Sequence, residues 1–246
     1  MPGWTTHIGE EPKLAKRPVY IPNYSGDVFV RTEFVDFLWH PGMAATQKQK
    51  SILSLHEAAV SQGLCRKPLE ISSKSLLELG VALSAFNLKV TTQKHKKTFT
   101  VETAYQSSKV FTNGGPYKDL LYGTSLAAKK DLRIKESGPL IGFEFFGEAW
   151  PLEPRTAFYD WLYINALHKN VWAVEELSDY DGFTDIEFNP DKSVNCQAYS
   201  VALYRSLEAR NLIREAIGSR ESYMGIITSV PVNNASENTE SQPRLV

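Results

Sequence analysis

The stretch Thr100-Val101-Glu102-Thr103-Ala104-Tyr105-Gln106-Ser107-Ser108-Lys109 decides how this sequence is read. At helical periodicity Glu102, Gln106 and Lys109 fall in one narrow stripe, while Ala104, Ser108 and Phe111 form a small, apolar stripe opposite. The pattern predicts a helix from Val101 to Phe111, stopped by the breaker cluster Asn113-Gly114-Gly115-Pro116. Its apolar side packs inward, and Glu102 stands in the first turn of a helix whose polar face looks into a cleft. A solvent-exposed face laced by i,i+4 pairs gives the same spacing, so the stripe alone leaves both readings open.

Upstream, Ile52, Leu55 and Ala59 recur at helical spacing and predict a helix over Thr46–Gln62, stopped by Gly63. A short helix is expected from Ser73 to Leu79, capped by Ser72 and ended by Gly80. Strands are expected at Val81–Phe86 and Thr98–Val101, around the polar run Lys94-His95-Lys96-Lys97. Downstream, Leu140–Phe146 reads as a buried strand, and Pro154 opens a helix to His168 with the stripe Ala157, Trp161, Ile164 and Leu167. A further helix runs through Leu177. Phe183–Phe188 alternates like a strand, and a last helix begins near a cap at Asn195, with Val201, Tyr204 and Leu207 inward. The fold class is therefore α+β, mainly helical, with short strands. Residues 1–17 read as a loose leader, 18–227 as one domain and 228–246 as a disordered tail.

Composition excludes several functions. The 246 residues carry 27 Lys and Arg against 28 Asp and Glu, too balanced to hold nucleic acid by bulk charge alone, although a local basic patch remains open. Cys65 and Cys196 cannot build a disulfide scaffold or a structural zinc site, and no signal or membrane-spanning run is visible, so a cytoplasmic protein is expected. Phosphate-binding loops, dinucleotide fingerprints, nucleophile elbows and HExxH are absent. His7, His40, His56, His95 and His168 lie far apart, which moves histidine catalysis down the list.

What remains is acidic. Asp179, Asp181, Asp185 and Glu187 form a second group, and alternation would set Asp185 and Glu187 opposite Ile186 and Phe188. Two carboxyl groups facing one cleft can hydrolyse a glycosidic bond; the competing reading is turn chemistry, favoured for Asp179, Asp181 and Asp191. Trp150 either stacks on a purine or fills the core, and the Lys94–Lys97 run is either a solvated hairpin tip or a phosphate contact. No metal and no cofactor is expected, since no ligand cluster is visible.

Taken together these segments resemble the NADAR (NAD and ADP-ribose associated) family, which shares its fold with an N-glycosidase of the riboflavin pathway. The core resemblance lies in Leu83-Ser84-Ala85-Phe86-Asn87, Thr100-Val101-Glu102 and Tyr105-Gln106-Ser107-Ser108-Lys109-Val110-Phe111, followed by Trp150 and Asn195. Further stretches resemble the branch that serves as antitoxin to guanine-modifying DNA ADP-ribosyltransferase toxins. They are Gln47-Lys48-Gln49-Lys50-Ser51, Glu70-Ile71-Ser72-Ser73-Lys74-Ser75, Gly114-Gly115-Pro116-Tyr117, Trp150-Pro151-Leu152-Glu153-Pro154, the run from Phe158 to Leu167, and Phe183-Thr184-Asp185-Ile186-Glu187-Phe188-Asn189-Pro190.

The resemblance implies a hydrolase that removes ADP-ribose from guanine in DNA or RNA, with a cognate toxin as functional partner. It implies Glu102, Trp150 and an aspartate as the reactive centre. The family's aspartate precedes a Trp-Gly pair that this sequence lacks, so Asp185 takes the role, with Asp181 as the alternative. Ser84, Asn87, Gln106, Lys109 and Asn195 are candidates for holding the ADP-ribose, Lys109 toward a phosphate. A non-catalytic module that binds the modified nucleic acid or the toxin, and an N-glycosidase acting on a free nucleotide, are the competing functions.

Overall fold

A computed structural model of the chain describes residues 11–92, 97–191 and 193–231. It opens on two long strands, β1 (Lys13–Pro22) and β2 (Val30–Trp39), paired antiparallel in unbroken register from Lys13↔Trp39 to Pro22↔Val30. Helix α1 (Ala45–Ser61) follows, then β3 (Pro68–Glu70), α2 (Glu78–Ala82), β4 (Lys89–Thr91), β5 (Thr98–Thr100), α3 (Val101–Ser107) and β6 (Lys109–Phe111). After a 3-10 turn come α4 (Ser125–Lys130), α5 (Arg133–Glu136), β7 (Leu140–Phe145), β8 (Glu148–Trp150), α6 (Ala157–His168) and α7 (Val171–Leu177). Strand β9 (Gly182–Thr184) and helices α8 (Gln197–Ala209), α9 (Ile213–Gly218) and α10 (Arg220–Thr228) complete the domain.

The principal sheet has the order β2-β1-β9-β3, and strand alternation sends β1 into two cores at once. Val19 and Ile21 meet Ile52, Leu55 and Ala59 of α1, whereas Tyr20, between them, points into the main core with Tyr199 and Phe183. In that core α6 and α8 lie side by side. Helix α6 is buried nearly all round, including Phe158, Tyr163 and Leu167, because it runs through the core rather than over it. A second sheet, β6-β7-β8, lays Phe143 and Trp150 against Phe158. Among the described residues no helix is long and apolar enough to cross a membrane.

The α+β class and the helices around α1, α6, α7 and α8 match expectation, but several local readings need correction. The strands are not all short: β1 and β2 have ten residues each, and β1 takes in Lys13–Arg17, expected as loose leader, because those residues pair along β2. The helix expected at Ser73–Leu79 lies instead at Glu78–Ala82, with Gly80 inside it. Gly80 serves close approach rather than a left-handed stop, since a Cβ there would come 2.0 Å from the Glu70 carbonyl oxygen. Val81–Phe86, expected as a strand, ends α2 and then turns, with Asn87 and Leu88 amides both donating to Ser84 O. Helix α3 stops at Ser107, so Lys109 opens a strand. The Phe183–Phe188 strand ends at Thr184, and the helix expected to be last starts at Gln197 without a side-chain cap from Asn195 and is followed by two more, α9 and α10. Lys94–His95–Lys96 and most of the expected tail, residues 232–246, lie outside the described residues.

Candidate active site: two buried carboxyl groups on one hydrogen-bonded frame

Thr100 ends β5 and starts α3 through a reciprocal cap: its side chain accepts from Thr103 N, and Thr103 accepts from Thr100 N. That fixes Glu102 in the first turn. Its backbone N–H donates to Ala85 O at 3.0 Å, and its Oε1 accepts from Gln106 Nε2 at 3.0 Å, the i,i+4 contact read from the spacing. Both side chains are buried, so the stripe is neither a solvated face nor an open cleft. Gln106 Oε1 has no partner although it is buried.

Lys109 lies beyond the helix end, yet its Nζ stands 4.7 Å from the centre of the Tyr105 ring. Burial lowers its pKa to about 8, with Glu102 opposing the shift and Lys129 adding to it. The Gly-Gly-Pro turn sets its backbone: Gly115 has φ +80°, and a Cβ there would come 2.3 Å from Lys109 O. Tyr105 Oη accepts from Asn195 Nδ2 at 2.7 Å, leaving Asn195 Oδ1 buried without a donor. Burial raises the Tyr105 hydroxyl far above its ordinary range.

The second carboxyl is Asp185. It follows β9 at once, and its Oδ1 accepts from Glu187 N at 3.0 Å and Phe188 N at 3.2 Å, the turn that ends the strand. Alternation therefore does not hold: Asp185 is buried with Ile186 and Phe188, and Glu187 is exposed. Burial, and next the charge of Glu70, push the Asp185 carboxyl well above the carboxylate range, against hydrogen bonds from Glu187 and Gln197. Glu70 brackets it, accepting from Thr184 Oγ1 at 2.6 Å and from Ile186 N at 2.8 Å. Since Thr184 donates to Glu70, it accepts from His56 Nε2 at 2.9 Å, and burial keeps that imidazole neutral by lowering its pKa to about 4.

Gln197, absent from the sequence-based candidates, joins the halves. Its Oε1 accepts from Ala85 N at 2.7 Å, its Nε2 donates to Ile71 O at 2.6 Å, and its side chain also bonds Asp185. Ala85 O in turn holds Glu102 N, so the two carboxyl groups hang on one hydrogen-bonded frame. Tyr159 lies edge-on to Tyr105 at 5.2 Å between ring centres, and burial, with Glu102 and Asp185 adding to it, raises its hydroxyl well above the ordinary range. A residue that accepts from one loop and donates to two others has no signature in spacing. Asp160 was also missed as a titrating group: buried and bonded by Ser200 Oγ at 2.5 Å, it has a pKa raised by burial to about 7.

The other candidates fall at varying distance from this centre. Ser84, buried, adjoins Ala85. Asn87 is exposed and donates to Val81 O at 2.8 Å, which secures its own turn. Trp150 is 2% exposed in the aromatic core, 4.9 Å from Trp161 and 5.4 Å from Phe158 between ring centres, with its indole N–H buried and unpartnered. Asp181 is spent on the surface, accepting from Lys67 N, Arg66 N and Arg66 Nε, and those bonds overcome partial burial to lower its pKa. An apolar cavity of about 190 Å³ lies behind α3, between Val101, Ala104, Phe145 and Trp161. Among the described residues no group of three or more His, Cys, Asp or Glu side chains is placed to hold a metal ion.

Comparison with known families places a domain so built among the NADAR proteins. Over residues 15–237 it matches the DarT1-associated NADAR antitoxin family, and the chain belongs to that family. A cognate toxin is thereby implied as its functional counterpart. No match exists among curated proteins.

Proposed function

We propose that this protein is an ADP-ribosyl hydrolase that cleaves the bond between ADP-ribose and guanine in nucleic acid and so reverses the toxin's modification. The observation that carries the reading is the pair Glu102 and Asp185, held on one frame with a cation, Lys109, beside the first and a second acid, Glu70, beside the other. Asp185, whose carboxyl is pushed above the carboxylate range by burial and by Glu70, gives a proton to the departing guanine as the base–ribose bond breaks. Glu102 stabilises the positive charge on the sugar and takes a proton from the attacking water, whose oxygen bonds to the ribose carbon. Protonation of the base and deprotonation of water balance, and proton exchange with solvent restores the starting state. Gln106 Oε1 and Asn195 Oδ1, acceptors without donors, suit ribose hydroxyls, and Lys109 suits a phosphate. No divalent metal is required.

The test is turnover of guanine-ADP-ribosylated oligonucleotide, in excess chelator with and without magnesium. Release of ADP-ribose in chelator is expected. Binding without release would make the protein a recognition module, turnover of free nucleotide only would make it a metabolic N-glycosidase, and rescue by magnesium would overturn the metal-free step.

A further inference from the structure

Of two sequence stretches singled out above, Phe183 to Pro190 contributes Asp185 to the site, and Gln47-Lys48-Gln49-Lys50-Ser51 has no role in it so far. The structure joins them. Lys48, in the first turns of α1, reaches Glu187 at 3.5 Å, and Glu187 N is one of the two amides that hold Asp185. The same Lys48 ammonium lies 4.3 Å from the centre of the Trp39 indole, and Arg17 lies 5.5 Å from that ring. Trp39 ends β2, and Arg17 lies on the neighbouring strand β1.

Two cations thus share one half-buried indole beside the loop that carries Asp185. Neither is saturated. Arg17 Nε is buried without an acceptor, its Nη1 donates to the Lys16 carbonyl, and among the described residues Asp191 is the acid whose charge acts on it. The Lys48–Glu187 pair is long, and Glu187 is exposed enough for solvent to screen it. An indole that holds two cations in place reduces the entropy cost of bringing them to an anion.

We infer that Arg17 and Lys48, presented by Trp39, form a docking site for the phosphate backbone of the nucleic-acid strand that bears the modified base. This deepens the proposed function: the carboxyl pair acts on the base–ribose bond, and the Arg17–Lys48 site distinguishes a polymer from a free nucleoside. It also accounts for a nucleic-acid enzyme of net charge −1, since attraction is confined to one patch.

The experiment compares the full chain with Arg17→Gln/Lys48→Gln, with Lys48→Gln alone, and with Glu187→Gln. Binding of an unmodified single-stranded oligonucleotide is followed by fluorescence anisotropy across a salt series, and turnover is measured on ADP-ribosylated oligonucleotide and on ADP-ribosylated guanosine. Loss of two phosphate contacts should flatten the log–log salt slope by about 1.4. The double variant should raise KM for the oligonucleotide about tenfold, with no such change for the nucleoside. If the double variant does not fold, Lys48→Gln alone should flatten the slope by about half as much. Glu187→Gln, by removing the carboxylate that competes for Lys48, should tighten oligonucleotide binding, a gain that a merely structural role would not give. An unchanged salt slope, an equal loss on both substrates, or a wild-type chain that does not bind the oligonucleotide would overturn the inference. Absence of turnover by the wild-type chain on either substrate would instead remove the proposed function, while the binding series would still decide the docking site.

Discussion

Glu102 and Asp185 are buried to nearly the same degree, 6% and 8% exposed, yet the chain treats them in opposite ways. Around Glu102 stand the Gln106 amide, donating to it at 3.0 Å, and the nearby Lys109 ammonium. Around Asp185 stands another buried acid, Glu70, and the amides that reach it do not offset burial and that repulsion. Burial alone therefore does not assign a role to a carboxyl group. The sign of the nearest charge differs as well, a cation beside Glu102 and a second acid beside Asp185.

The hardest test of that contrast is Glu102→Gln, which keeps shape and the bond to Gln106 but removes the charge. ADP-ribose release should fall by about 10²–10⁴-fold with the melting temperature unchanged. A variant retaining a tenth of wild-type turnover would remove Glu102 from the mechanism. Asp185→Asn comes next, because an amide oxygen can still accept from Glu187 N and Phe188 N while no acidic proton remains. Turnover should drop about 10²-fold, the lower end for lost acid catalysis, and the fall of kcat at high pH should vanish from the profile. If that limb persists, its proton belongs to another group. Gln197→Ala should cost less, about tenfold in kcat, with KM nearly constant, because it loosens the frame between the carboxyl groups without touching either charge. A change in KM alone would make Gln197 a binding residue instead.

How far this contrast was legible in the sequence differs between its halves. Around Glu102, local spacing sufficed for the i,i+4 pair and the helix start at Val101, which are properties of neighbouring residues, whereas the helix ends at Ser107, before the Gly114-Gly115 breaker expected to stop it. Around Asp185, the alternation of Phe183 to Phe188 pointed to a longer strand, because period-two polarity does not reveal that the aspartate side chain will bond the amides two and three residues on and end the pairing. The partners that give Asp185 its character, Glu70 and Gln197, are distant in sequence and arrive only with the parallel β3–β9 pairing and the start of α8. Glycines mislead in the same manner. Gly80 was read as a local stop, but its requirement is the Glu70 carbonyl pressed against it.

Asp160 sharpens the comparison at the smallest scale, since it is a fourth buried carboxyl, after Glu102, Asp185 and Glu70, whose hydrogen-bonding neighbours are hydroxyls rather than a cation or another acid. Burial raises its pKa from 3.8 to about 7, against hydrogen bonds from Ser200 and Thr156. The folded chain therefore holds this proton through an interval in which the unfolded chain has released it, so folding takes up a proton. Stability from this group is full below about pH 4 and declines as pH rises toward 7, by at most about 1.4 kcal/mol per unit. His56 acts in the opposite sense, its depressed pKa removing stability as pH falls below 6.5, so the wild-type curve alone would blur the effect. Asp160→Asn isolates it, because the amide oxygen can still accept from Ser200 and carries no titrating proton. Relative to wild type, the variant should gain about 2–4 °C in melting temperature per pH unit between pH 5 and 7 and level off above. Parallel melting curves across that range would mean that Asp160 is already ionised in the folded chain, and that a shell of hydroxyls is enough to hold a buried charge without a cation.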